Sequence, residues 1–71
     1  MDKLRAMQVF VQIADDGTLT AAAASLEMSL AAVVRTLAAL EAQLGARLFQ
    51  RTTRRIALTQ EGQHYLGRCR L

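Results

Sequence analysis

The chain has 71 residues, 52% of them hydrophobic and 4% aromatic, with one cysteine, no proline and a formal net charge of +3. A chain of this length makes one domain that buries about 60% of the surface exposed on unfolding, enough for a core but leaving little room for an elaborate catalytic cleft. The apolar content excludes disorder, and the lone Cys69 excludes an internal disulfide and a four-ligand zinc site.

Alanine and leucine dominate, which favours a mostly helical build. From Asp2 to about Asp16, Leu4, Met7, Phe10, Val11, Ile13 and Ala14 recur at helical intervals, so a long buried helix is expected, with Asp2 as its N-cap and Gly17 as its C-terminal cap. Thr18-Leu19-Thr20 leads into a short helix over 21–26, for which Thr20 is the expected N-cap and Leu19 an apolar anchor. After a break at Glu27 and Met28, Ser29 caps a longer helix that runs to Leu44 and ends at Gly45. Leu30, Val33, Leu37, Leu40 and Leu44 form its apolar stripe, and Ala31, Arg35, Ala38 and Ala42 lie opposite. Short helix, tight turn, longer helix is the outline of a helix-turn-helix.

Beyond Gly45, two short runs, 47–50 and 55–58, suit strands, joined by Arg51-Thr52-Thr53-Arg54. Such a hairpin is a wing, and it is marginal alone in water, so Leu48, Phe49, Ile56 and Leu58 must pack partly onto the helices. Thr59 then caps a final helix with Glu61 in its first turn, and this helix is expected to be still running at the end of the chain. No internal repeat or Gly/Ser/Pro linker occurs.

The net charge conceals an asymmetry. Residues 1–46 carry Lys3, Arg5 and Arg35 against five carboxylates, a net −2, whereas residues 47–71 carry six arginines against Glu61, a net +5. Eight of the nine basic residues are arginine, whose planar fork suits phosphates and guanine edges. A basic edge is also compatible with simple solvation. For catalysis the inventory is poor: His64 is the only histidine, expected on the surface of the last helix, and no partnered nucleophile or phosphate loop occurs. Arg68 and Arg70 flank Cys69, an arrangement able to lower a thiol pKa, but a terminal surface thiol without function is the expected reading. Tyr65 and Leu66 suit packing rather than ligand binding. A non-enzyme without cofactor or metal is expected. No apolar run reaches membrane-spanning length and no secretory signal opens the chain, so the expectation is a cytoplasmic protein with no membrane partner.

A helix presented by a short preceding helix, with small residues and Arg35 on its free face, matches the way a recognition helix enters the major groove. Thr18, Thr20 and Ser29 stand at two helix starts, where hydroxyls and free N–H groups suit phosphate oxygens as well as capping. Arg51, Arg54 and Arg55, with Thr52, suit the backbone or minor groove at the wing. Sequence-specific double-stranded DNA binding is the leading reading. The alternative is a helical protein-interaction module without DNA contact, which the alanine and leucine content also allows.

The run from Leu48 to Gly62, LFQRTTRRIALTQEG, resembles the LF-x-R-x-x-R-x-x-x-LT-x-x-G wing motif of LysR-type transcriptional regulators. Thr20-Ala21-Ala22-Ala23, Ala32-Val33, Arg35, Leu40-Glu41 and Leu44-Gly45 fall where that family has its helix-turn-helix pattern. The resemblance covers essentially the whole chain. It implies a winged helix-turn-helix over 1–58, with the start of a dimerising linker helix over 59–71, belonging to a longer bacterial regulator. It further implies a homodimer or higher homo-oligomer through that helix, and a small-molecule effector bound by a domain absent from this chain. The chain departs from the family at Leu30, Ala31 and Val34, where Gln or Pro, Pro or Ser, and Ser are common. Loss of a hydroxyl at Val34 removes about 1 kcal/mol of hydrogen bonding, while apolar side chains there suit a thymine methyl. Leu30 has a helical phase near the core but a family position at the DNA.

Overall fold

The computed structural model describes residues 2–51 and 56–70, Arg51 by its backbone alone. The elements are α1 (Lys3–Asp16), α2 (Leu19–Leu26), α3 (Leu30–Leu44), β1 (Phe49–Arg51), β2 (Ile56–Leu58) and α4 (Gln60–Cys69). Each helix starts on a side-chain acceptor that satisfies one of its free N–H groups. Asp2 accepts from Arg5 N at 3.2 Å, Thr18 from Ala21 N at 3.0 Å, Ser29 from Ala32 N at 3.1 Å and Thr59 from Gly62 N at 2.9 Å. The cap expected at Thr20 is therefore Thr18, and α2 begins two residues earlier than the sequence suggests. Both threonines precede the same apolar run, but only Thr18 has the extended backbone, φ −142° and ψ 154°, of a capping residue.

Gly17 and Gly45 end α1 and α3 in the left-handed region, as expected. Glu27 ends α2 the same way at φ 55°, although it carries a side chain. Met28 N closes the motif on Ala23 O at 2.9 Å, so the backbone cannot relax without losing the cap. A left-handed non-glycine residue costs about 1 kcal/mol. Replacing Glu27 with Gly is therefore expected to raise stability by several tenths of a kcal/mol to about 1 kcal/mol in urea unfolding.

The core is built by the first three helices and the start of the hairpin, with β2 and α4 packed against it. Ala6, Val9, Phe10 and Ile13 of α1 meet Ala22 and Ala23 of α2, Val33, Leu37 and Leu40 of α3, and Leu48 and Phe49 at the hairpin. Phe10 is its hinge pin: its ring centroid lies 5.3 Å from that of Phe49 and 5.4 Å from that of Tyr65, both tilted, so one side chain joins α1 to the hairpin and to α4. The buried arc of α1 is rotated from the expected stripe. Leu4 is 65% exposed and Ala6 and Val9 are buried, because α1 is apolar over so wide an arc that periodicity alone leaves its phase open. Leu44 is half-buried, at the edge of the core.

The hairpin pairs antiparallel with Phe49 opposite Leu58, Gln50 opposite Ala57 and Arg51 opposite Ile56. Its first strand starts two residues later than the expected 47–50, and side chains take the Leu48 N–H and the Arg47 carbonyl just before it. Glu41 accepts from Leu48 N at 2.7 Å, and Thr59 Oγ1 donates to Arg47 O at 2.6 Å. Leu48 and Phe49 are fully buried, with Ile56 and Leu58 packed against them, which gives this short hairpin the support it lacks alone.

Candidate nucleic-acid interface

Between α2 and α3 the chain turns by 105°, within the range that sets one helix across another in a helix-turn-helix. The core holds α3 through Val33, Leu37 and Leu40, and this fixes which side points away. Leu30, Ala31, Arg35, Ala38 and Ala42 are exposed there, and Val34 is half-buried. Leu30, whose phase left its side open, is 47% exposed at the first turn. The free face is thus nearly smooth, with one long cation. Among the described residues the ion pairs are Glu41–Arg47 and Asp15–Arg70, and Arg35 belongs to neither.

Thr18 and Ser29 use their hydroxyl oxygens as acceptors for the caps, which leaves each hydroxyl hydrogen to donate outward. Capping and phosphate contact are therefore compatible at both residues. Thr20 is exposed in the first turn of α2, its hydroxyl not engaged as the cap. Thr18, Thr20, Ser29, Leu30, Ala31, Val34 and Arg35 all belong to α2, α3 or their caps. Thr52, Arg54 and Arg55, and the side chain of Arg51, lie outside the described residues.

Sequence reasoning missed the residues that hold this surface in place. Asp16 accepts from Gln12 at 3.0 Å and from Ser25 at 2.9 Å, tying the end of α1 to α2. Glu41 anchors the start of the hairpin through Leu48 N and lies 3.9 Å from the Arg47 guanidinium. The bonds to Ser25 and to Leu48 N have no local signature, because their partners lie outside the helix that carries the carboxylate. At the far end of α4, burial pushes the Cys69 thiol up, outweighing Arg68, which is opposite to the shift expected from its arginine neighbours. The Tyr65 hydroxyl beside it is raised for the same first reason, desolvation, and then by Cys69. His64 is exposed, as expected. No cluster of three or more potential metal ligands occurs among the described residues. No single helix among them is long and apolar enough to cross a membrane.

Helix, 105° turn, exposed helix and buttressed hairpin together define a winged helix-turn-helix domain. The profile described as bacterial regulatory helix-turn-helix protein, lysR family, matches residues 4–63, and the chain belongs to that family. It is 44% identical over 71 residues to an HTH-type transcriptional repressor of Pseudomonas aeruginosa, covering 100% of this chain and 22% of that protein. Against the HTH-type transcriptional activator AaeR of Escherichia coli, identity is 40% over 70 residues, covering 99% of this chain and 23% of the activator. The chain thus spans about a fifth of the length of the curated relatives it matches. Its fold superposes on that of the CbnR_DBD–DNA complex with a TM-score of 0.92 at 37% identity, covering 99% of this chain and 79% of that one. For the BenM_DBD/catB site 1 DNA complex the TM-score is 0.90 at 29% identity, with coverage of 97% and 76%.

Proposed function

We propose that the chain is the sequence-specific double-stranded DNA-binding unit of a bacterial transcription regulator, acting in the cytoplasm and having no enzymatic activity of its own. The observation that carries this reading is the exposed face of α3, kept free of carboxylates and bearing Arg35 six residues, less than two turns, beyond the cap hydroxyl of Ser29. In it α3 lies in the major groove, where Arg35 reads a base edge and Leu30, Ala31 and Val34 line the contact. Thr18, Thr20 and Ser29 donate to phosphates, and Arg51, Thr52, Arg54 and Arg55 engage backbone or minor groove at the wing. Solved relatives in complex with DNA support the partner, and regulators among the matched sequences support the role. Residues 1–58 form the DNA-binding domain and 59–71 begin a linker helix through which the full regulator dimerises, with any effector bound by a domain outside this chain.

The wing is proposed to act mainly by charge. Log affinity for DNA should fall steeply and linearly with log salt, and each of Arg51→Ala, Arg54→Ala and Arg55→Ala should reduce the slope by about one where its arginine meets a phosphate. Titration of a labelled promoter duplex across a salt series measures this. A flat dependence contradicts a phosphate-contacting wing.

A further inference from the structure

The free face of α3 is mostly hydrocarbon where it meets the proposed partner. At 100° per residue, Leu30, Val34 and Ala31 span about 100° of the helix circumference and Arg35 follows about 40° further round, so the four make one continuous surface. Leu30 leaves 47% of its surface in water; Leu4, on α1 outside the helix-turn-helix, is the other exposed large hydrophobic among the described residues. Ser29, whose hydroxyl caps α3, immediately precedes it. No carboxylate occurs between Glu27 and Glu41, so nothing on this stretch repels a polyanion. The apolar patch is thus continuous with the phosphate-anchoring cap on one side and the base-reading cation on the other.

On the base edges of the major groove, the one hydrocarbon group is the C5-methyl of thymine. Leucine, valine and alanine side chains offer no donor and no acceptor. The N4 amine of cytosine, or a purine acceptor, placed against them loses water and gains no partner, whereas a methyl and an isobutyl group leave water together. We infer that Leu30, Ala31 and Val34 form a thymine-methyl reader beside Arg35, so that the bound sequence carries thymines adjoining the base pair that Arg35 contacts. This rests on the DNA-binding reading and adds the class of base step selected: one polar contact flanked by methyl contacts.

The test uses the duplex that this chain enriches from a randomised library, resynthesised with deoxyuridine at each thymine in turn, which removes one methyl and leaves base pairing unchanged. At the thymines facing α3, affinity should fall about fourfold per methyl. That penalty should shrink or vanish in Leu30→Ala or Val34→Ala, both at positions outside the buried core, and persist in Arg35→Ala. Placing 5-methylcytosine rather than cytosine at the same position should recover a similar factor, because it restores the methyl alone. Specific binding that tolerates deoxyuridine at every thymine overturns the methyl reader and leaves the DNA-binding reading standing. Failure to enrich any duplex overturns the DNA-binding reading and this inference with it.

Discussion

Replacing Gly62 with Ala destabilises the domain by about 3 kcal/mol, although alanine is the better helix former. Gly62 is buried in the first turn of α4. A Cβ there would stand 2.0 Å from the Leu48 carbonyl oxygen and 3.0 Å from Leu58 Cδ2. The leucine side chain can give way, but the carbonyl cannot. Leu48 O accepts from Thr59 N at 3.0 Å, and Leu48 N is held by Glu41 at 2.7 Å, so the backbone of this residue is fixed at both ends. Relief requires α4 to lift from the hairpin, which separates Tyr65 from Phe10. The control lies in the same helix: nothing stands within 4 Å of a Cβ at Gly67, so Gly67→Ala should stabilise by about 0.5–1 kcal/mol. Urea unfolding followed by circular dichroism separates the two, and a stabilised Gly62→Ala protein would contradict the close approach of α4 to Leu48.

Arg35→Ala should weaken specific binding by about five- to 150-fold, the range expected on losing a bidentate contact to guanine worth about 1–3 kcal/mol. The side chain is exposed and outside the core, so unfolding midpoints should stay unchanged and the loss belongs to the complex. Arg35→Lys separates charge from shape. A lysine keeps the attraction to phosphate, hence the salt slope, but not the planar fork, so it should restore little discrimination between cognate and substituted sites. Equal affinity of Arg35→Ala and the parent chain for the enriched duplex contradicts the assigned role.

Legibility in the sequence followed the range of the interaction. Asp2, Ser29, Thr59, Gly17 and Gly45 act within a few residues of themselves, and each cap stands where the local pattern puts it. Thr18 and Thr20 compete for one cap at a spacing of two, and the backbone angle that decides between them has no sequence signature. The stripe of α3 is narrow enough for Val33, Leu37 and Leu40 to identify its buried side; α1 has no such contrast, so Leu4 was misplaced and Val9 overlooked. Just before β1, Glu41 and Thr59 reach Leu48 and Arg47 from other elements, which leaves no local signature. The wing motif carried family membership, which helical periodicity alone does not distinguish from other small bundles. At the interface, Arg35 and the cap hydroxyls were legible as chemistry, whereas the exposure of Leu30 was not, because its phase lies on the border between core and surface.

The most direct test of the central claim is selection of genomic fragments by this chain followed by footprinting of those enriched. The account predicts a small set of promoter fragments with a recurrent protected sequence, bound more tightly than random duplex and lost on substitution of Arg35. Retention of no fragment above background, or retention without any common protected sequence, would contradict it.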